Sequence, residues 1–360
     1  MTAVPPQDWD TAAVRSPGGH VMQSTAWAQI KEQQGWAAEY LRLGEAPLPC
    51  ALVLWRRLPG GFRFGYSPRG PVVAAAGVHS AGGVPGAGPM LADPTGLEAA
   101  LRGLAAHARG TGALVLKVDP ELDPAAAAGP LAAAGFRRGP DIQPVRATLM
   151  LDLAPEIDTL LAGCEKDTRW SIKQGAKRGV TIRRGTSDAD LDRFYALYAL
   201  TGRRARFITR TAEYYRLTWR TLIDAGLADL WLAEAGGAPV AAAMTWRCGE
   251  RELYMYGASN DAGRKVYAAY ALQWHCIMEA RARGARTYDF GGVPVDLQDP
   301  SDTMHGPYVF KKGFGGTVRR FVGAHDSVPR PLLYTAFRVG EPLYSRALRL
   351  AGRRGGGRTE

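Results

Sequence analysis

The order of predicted helices and strands occurs twice along this chain, and this doubled order constrains the fold more than any other sequence feature. The first half contains, in chain order, a helix at 27–34, strands near 39–43, 51–55 and 62–66, a helix at 97–109 and an apolar strand at 113–118. The second half contains helices at 157–177, 191–200 and 214–225, strands at 228–234, 239–247 and 252–259, a helix at 267–283 and a strand at 287–290. We therefore expect two mixed α/β units of similar design.

The order within each unit is that of the acyltransferase fold of the GNAT type. Gly236-Gly237 and Gly249-Glu250 are hairpin turns between the three strands of the second half. The fold class is thus α/β (α+β), with two GNAT-like domains in tandem, which suits a length of 360 residues. We place the first domain at 1–152, completed by 323–348, the second at 153–322, and a disordered basic tail at 349–360.

The chain is strongly basic. It has 45 Lys and Arg against 34 Asp and Glu, a formal net charge of +11. This excess favours a polyanionic partner or an anionic lipid surface, and a compositional bias towards arginine and alanine is the alternative. No apolar run is long enough to span a membrane, and the N-terminus lacks the pattern of a signal peptide. The four cysteines are scattered, without metal-ligand spacing. We expect a cytoplasmic protein without a metal site.

Seven short segments carry a resemblance to a known family. They are QSTAWAQIK at 23–31, SPRGP at 67–71, LKVDPE at 116–121, QPVRAT at 143–148, YGAS at 256–259, YDFGG at 288–292 and FKKGFGG at 310–316. In residue type and order the chain resembles the FemABX family of aminoacyl-tRNA-dependent transferases, which build peptidoglycan cross-bridges. Some members carry a coiled-coil arm in the second domain, and 213–311 shows no heptad insertion, so this chain is similar to the armless members.

The resemblance implies a reaction and its partners. An amine on a peptidoglycan stem peptide attacks the ester of an aminoacyl-tRNA, giving an amide and a free ribose hydroxyl. The implied partners are aminoacyl-tRNA and UDP-MurNAc-pentapeptide or lipid II, with a possible peripheral contact to the inner membrane face. We expect no cofactor, because converting an ester to an amide is downhill and needs neither ATP nor a metal. We also expect a monomer.

The resemblance also implies the residues that bind the substrate. These are Lys31, Arg69, Arg210, Tyr214 and Tyr256. Arg210 and Tyr214 are four residues apart and share one helix face or its entry turn, where the guanidinium can bind a pyrophosphate with two hydrogen bonds. A solvated lysine is the alternative for Lys31, and a boundary tyrosine is the alternative for Tyr256.

The strand at 252–259 and the turn after it give two further expectations. Tyr254 and Tyr256 are two apart and should share one face of the strand, with Met255 on the other. The turn at Gly263 lacks the glycine-rich form that cradles coenzyme A in ordinary GNAT enzymes, which argues for another acyl donor. We assign Arg264, Lys265 and Lys312 to tRNA binding.

The catalytic candidates are Lys311, Phe310 and Asp119. A lysine ammonium can stabilise the oxyanion or the leaving ribose oxygen, and Phe310 can exclude water or stack on the tRNA end. Core packing with Phe314 is the alternative for Phe310, and a turn cap before Pro120 is the alternative for Asp119. The general base stays open, since no histidine pairs with Ser or Cys in a recognisable arrangement.

Two rival functions stay open beside this one. The first is the same chemistry on an antibiotic or a peptide natural product, which the sequence hardly separates from cell-wall synthesis. The second is a coenzyme A-dependent N-acyltransferase. A non-catalytic module for RNA or anionic membranes is a further alternative, and it predicts salt-dependent binding without turnover.

Overall fold

The structure, a computed structural model, describes residues 6–44, 49–73, 94–143, 145–205 and 209–336. The expected tail at 349–360 and the part 337–348 of the first domain lie outside these residues. No helix within the described ranges combines the length and apolar character needed to cross a bilayer.

Helices and strands alternate along the chain. The α-helices are α1 (Pro6–Ala13), α2 (Thr25–Glu32), α3 (Pro94–Gly110), α4 (Pro124–Ala133), α5 (Ile157–Gly163), α6 (Lys166–Lys177), α7 (Asp188–Ala205), α8 (Ala212–Asp224), α9 (Asp261–Lys265), α10 (Ala268–Ala282) and α11 (His305–Lys312). The strands are β1 (Ala37–Arg42), β2 (Cys50–Arg57), β3 (Arg63–Ser67), β4 (Val115–Val118), β5 (Arg137–Arg138), β6 (Ala147–Asp152), β7 (Thr181–Gly185), β8 (Ala228–Ala235), β9 (Ala238–Cys248), β10 (Arg251–Ser259), β11 (Thr287–Gly292), β12 (Thr317–Arg320) and β13 (His325–Ser327).

The helix predicted at 157–177 is two helices. Cys164 and Glu165 have extended backbone angles between α5 and α6, so the helical hydrogen bonds are interrupted there. The break gives α6 its own N-terminus and its own direction. The continuous prediction was therefore wrong at this point.

The first sheet has the strand order β1-β2-β3-β4-β13-β5. Its first three strands are antiparallel neighbours, and β3 and β4 run parallel. α3 and α4 enclose a core on this sheet in which Leu101, Leu104 and Leu116 are fully buried. β13 lies between β4 and β5, so a segment from near the end of the chain completes the first sheet.

The second sheet has the order β12-β6-β11-β10-β9-β8-β7. β8, β9 and β10 form the expected antiparallel meander, and β11, which follows α10, pairs parallel with β10. This is the GNAT-like order, and the expected α/β fold class is confirmed. The expected boundary at 152 assigns β6 to the first domain, but β6 pairs with β11 and β12 of the second sheet. Its backbone hydrogen bonds place this strand in the second half.

One apolar core joins the two halves. Trp27 of α2 and Leu52 of β2 belong to the same buried cluster as Trp219 of α8 and Trp246 of β9. The Trp27 and Trp246 ring centroids are 5.9 Å apart in an edge-to-face arrangement. Because this core is continuous, side chains from both halves meet along the junction.

A β-bulge in β10 overturns the expectation for its tyrosines. The register with β9 shifts between Tyr254 and Tyr256, so the two-residue alternation is broken there. Tyr254 packs against the core of the second half, whereas Met255 and Tyr256 pack against the junction core. The prediction that both tyrosines share a face was wrong, and β10 presents one tyrosine to each side of the sheet.

Candidate active site

A cluster of cations and aromatic rings lies at the junction of the halves. Ser24 caps α2 by accepting a 2.9 Å hydrogen bond from the Trp27 amide, which sets Trp27 and Lys31 one turn apart. The Lys31 ammonium donates to Gln34 Oε1 at 3.2 Å and to the Tyr214 hydroxyl at 3.4 Å. Its Nζ also lies 4.6 Å from the Trp27 ring centroid. We call Trp27, Lys31, Gln34, Arg210 and Tyr214 the junction cluster.

The junction cluster is electropositive. The Arg210 guanidinium carbon lies 5.3 Å from the Tyr214 ring centroid, just before the start of α8. Burial, followed by the charge of Arg210, lowers the pKa of Lys31 to about 8. Two neighbouring cations that repel each other in this way are suited to share an anion such as a diphosphate.

Tyr256 lies next to this cluster and closes it from the side of β10. Its ring makes edge-to-face contacts with Tyr215 and Trp219, with centroids 5.9 and 5.8 Å apart. Burial, and then the neighbouring tyrosines led by Tyr214, keeps the pKa of Tyr256 well above its usual value. Its hydroxyl therefore stays protonated, as a donor requires. The structure thus brings four of the five predicted substrate-binding residues to one region.

The opposite side of β10 opens into a cavity of about 370 Å³. The parallel pairing of β10 with β11 covers only residues 251–253 and 287–289, and β10 continues beyond it. Aromatic side chains line the space that is left, namely Tyr254, Tyr267, Tyr270 and Phe310. We call this space the aromatic cavity, and we note that the Phe310 and Tyr270 ring centroids are 4.9 Å apart.

Lys311 points to a different side of α11 from Phe310, as the 100° rotation between successive helical residues requires. Only 6% of Lys311 is exposed, and its ammonium donates to the Gly292 carbonyl at 2.6 Å. Burial lowers the pKa of Lys311 to about 8, although Asp289 opposes the shift. A side chain on Gly292 would lie 2.7 Å from a Val145 methyl, so a glycine here allows the end of β11 to pack closely against Val145.

A buried ion network separates Arg69 from the junction cluster. Glu121 contacts Arg69 at 3.4 Å and Arg251 at 2.5 Å, and Arg251 contacts Asp289 at 3.0 Å. Burial alone would raise the pKa of Glu121, but Arg251, His20 and Arg69 hold it down at about 2. Because Arg251 and Asp289 belong to the second sheet, the network ties the loops of the first half to the second.

Asp119 is fully engaged within the first half. One carboxylate oxygen accepts from the Tyr66 hydroxyl at 2.8 Å, and the other accepts from the Arg69 amide at 2.5 Å. Burial raises its pKa to about 6, against the opposing charge of Arg69. With 2% of the residue exposed, Asp119 braces the turn that carries Arg69. These partners belong to β3 and the turn after it, and neither lies in the turn at Pro120 that the sequence left open as the alternative.

The three residues assigned to tRNA lie on the surface. Arg264 lines the rim of the aromatic cavity and pairs with Asp261 at 2.6 Å. Lys265 is exposed beside it, and the exposed Lys312 lies 3.7 Å from Glu165. All three are therefore accessible to a large polyanion.

Sequence reasoning missed several members of both regions. Trp27 lies four residues before Lys31, and this spacing was a usable signal. Tyr267 and Tyr270 gave no such signal, because their place in the cavity depends on a left-handed backbone at Tyr267, with φ 58°.

The two sheets have GNAT-like order, and a cationic cluster and an aromatic cavity flank one strand. Together these features define an acyltransferase of the tandem type. The chain matches the sequence model of the FemAB family over residues 5–128, 134–235 and 231–341. The protein belongs to the FemAB family.

Its relatives match along most of their length. An alanyltransferase of Weissella viridescens, UDP-N-acetylmuramoylpentapeptide-lysine N(6)-alanyltransferase, is 28% identical over 335 residues, covering 89% of this chain and 92% of the relative. The lipid II:glycine glycyltransferase of Staphylococcus aureus (strain MRSA252) is 23% identical, covering 95% and 96%. The crystal structure of FemX superposes with a TM-score of 0.79 at 22% identity, covering 93% of this chain and 98% of that one. The described residues contain no coiled-coil arm.

Proposed function

We propose that this protein transfers an amino acid from aminoacyl-tRNA to the stem-peptide amine of a peptidoglycan precursor. Membership of the FemAB family and the named activities of its relatives support this reaction. The observation that carries the proposal is the pair of sites on β10. Tyr256 faces the junction cluster and Tyr254 lines the aromatic cavity, so two substrates can approach one strand from opposite sides.

The junction cluster binds the acceptor. The Arg210 guanidinium can make two parallel hydrogen bonds to the diphosphate of the precursor, and the Lys31 ammonium adds a compact positive charge. The Tyr214 hydroxyl adds a further hydrogen bond. Both a nucleotide-linked and a lipid-linked precursor carry this group. The protein works in the cytoplasm, where charged tRNA is found, and a lipid-linked acceptor requires a peripheral contact with the membrane.

The aromatic cavity receives the acyl donor. The attacking amine forms a C–N bond with the ester carbonyl carbon, the ester C–O bond to ribose breaks, and one amine proton ends on the ribose oxygen. Phe310 lines this cavity and excludes water from the reacting ester. Lys311 lies beside the cavity and not in its lining, so its charged ammonium must turn from the Gly292 carbonyl towards the ester to stabilise the oxyanion or the leaving oxygen. Water or the substrate itself relays the amine proton to the ribose oxygen, and Asp119 acts by positioning Arg69.

The test is an assay of the purified protein with a panel of charged tRNAs and both forms of acceptor. We expect mass spectrometry to show one amino acid added to the stem peptide, and ribonuclease treatment to abolish the reaction. Activity that survives ribonuclease, or that requires an acyl-coenzyme A, would reject the proposal. Unchanged cross-bridges in a deletion strain would favour a natural-product acceptor.

A further inference from the structure

The outward face of α6 carries three lysines and a tryptophan in one stripe. Lys166, Trp170, Lys173 and Lys177 follow one another at spacings of four, three and four residues, so they share one helix face. All four are exposed, and 49% of Trp170 is accessible. We call these four residues the α6 face.

The opposite side of α6 packs against α10, next to the aromatic cavity. A side chain on Gly175 would lie 2.7 Å from the Ala271 Cβ, so the two helices touch there. The Trp170 ring is 5.1 Å from that of Tyr267, which lines the cavity. The guanidinium carbon of Arg178, just after α6, lies 4.8 Å from the Tyr267 ring centroid, and the Arg178 side chain donates a hydrogen bond to the Lys265 carbonyl. The α6 face therefore continues outward from the cavity rim.

The charges of the α6 face are not neutralised locally. Within the described residues, Lys166, Lys173 and Lys177 have no ion-pair partner. Two acids lie at the N-terminal end of the helix: Glu165 pairs with Lys312, and Asp167 is exposed. The exposed indole is a surface on which a base can stack, and the unpaired lysines can contact phosphates. Surfaces that bind single-stranded nucleic acid combine these two features.

We propose that the α6 face binds the acceptor arm of the donor tRNA. Its lysines contact backbone phosphates, and Trp170 stacks on an unpaired nucleotide near the 3′ end. This inference rests on the proposed function, because it names the surface that guides the donor into the aromatic cavity. An anionic membrane fits less well, since a helix that inserts into lipid needs a broad apolar face and the apolar side of α6 is buried against α10.

The test compares the double variant Lys173→Ala/Lys177→Ala with Arg57→Ala/Arg63→Ala. The control removes the same charge from an exposed hairpin of the first sheet. We expect the α6 variant to bind tRNA about tenfold more weakly, and the slope of log affinity against log salt to fall by about two. Its turnover at saturating donor and its affinity for the acceptor stay at the parent level, and the control matches the parent throughout.

Trp170 is tested separately. Trp170→Ala should weaken tRNA binding several-fold with little change in the salt slope, and Trp170→Phe should restore most of the affinity because a ring can still stack.

Two outcomes would overturn the inference. If both α6 variants bind tRNA like the parent while turnover still depends on tRNA, the inference fails and the proposed function stands. If the variants lose affinity for anionic phospholipid vesicles and keep that for tRNA, the face is a membrane surface. A parent protein that turns over without tRNA would instead reject the proposed function itself.

Discussion

The Lys31 ammonium lies 3.4 Å from the Tyr214 hydroxyl, although the two residues are 183 positions apart in the chain. Lys31 comes from α2, which packs on the first sheet, and Tyr214 comes from α8 of the second half. The cationic site therefore exists only when the two halves are packed together. The shared core around Trp27 and Trp246 holds that packing in place.

Acceptor binding should depend on pH through Lys31. Its pKa is lowered to about 8, so its charge is present below this pH and is lost as the pH rises through it. We expect acceptor affinity to fall above about pH 8, and Lys31→Ala to weaken binding about 10- to 100-fold at neutral pH. Lys31→Arg should flatten the pH profile, because arginine stays charged. Calorimetric titration with the nucleotide-linked pentapeptide measures this, and an unchanged profile in Lys31→Ala would contradict it.

Arg210 should move this pH profile as well as weaken binding. Its charge contributes to the lowered pKa of Lys31, so its removal lets that pKa rise towards the ordinary lysine value. In Arg210→Ala we expect weaker acceptor binding at neutral pH and a loss of affinity that begins at a higher pH than in the parent. The same titration series measures both, and a loss that begins at the parent's pH would show that Arg210 does not act on Lys31.

Replacing Lys311 should slow the chemical step. Lys311→Ala removes the buried ammonium held by the Gly292 carbonyl, and we expect kcat to fall about 100-fold with little change in acceptor affinity. Arg286→Ala is the control, because Arg286 is an exposed cation paired with Glu250. Single-turnover kinetics with preformed complexes separates chemistry from binding. Equal rates for the parent and Lys311→Ala would remove Lys311 from the reaction.

Gly257→Ala should disturb the donor side alone. A methyl group at Gly257 would lie 1.6 Å from the Tyr254 hydroxyl oxygen, so Tyr254 must move within the aromatic cavity. We expect KM for charged tRNA to rise about tenfold while acceptor affinity is kept. Gly129→Ala in α4 is the matched control, because nothing lies within 4 Å of its added methyl. A similar KM in both variants would place the donor elsewhere.

The ion network should contribute to stability. Glu121→Ala removes the carboxylate that Arg69 and Arg251 share and leaves Asp289 as the remaining ion-pair partner of Arg251, so buried positive charge is left in excess. We expect a loss of about 3–5 kcal/mol in the free energy of unfolding. Glu156→Ala removes an exposed pair with Arg281 and should cost under about 1 kcal/mol. Denaturant unfolding compares the two.

The lowered pKa of Glu121 also predicts how the free energy of unfolding changes with pH. The folded pKa of Glu121, about 2, lies below its ordinary value of 4.5, so its contribution is present above about pH 4.5 and is lost as the pH falls towards 2. The Glu121→Ala variant should therefore lose less stability than the parent over this interval. Parallel acid-unfolding curves for the two proteins would contradict this assignment.

Much of the architecture could be predicted from sequence because it is local. The meander of β8, β9 and β10 follows from alternating apolar residues between glycine turns, and these strands form as expected. The pairing of β6 with the second sheet was not predictable in this way, since its apolar pattern fits either sheet equally well. The roles of Arg69 and Asp119 depend on contacts of the same non-local kind.

The sequence alone determined the doubled order of elements, the order of the family motifs and the residue types available for chemistry. These are properties of neighbours along the chain, set by helical and strand periodicity and by turn residues. Only the tertiary structure decided which side of β10 each tyrosine faces, because one bulge residue reverses the alternation. It also decided that Lys31 meets Tyr214 and that Arg69 is paired with Glu121, since these contacts depend on how the two halves pack.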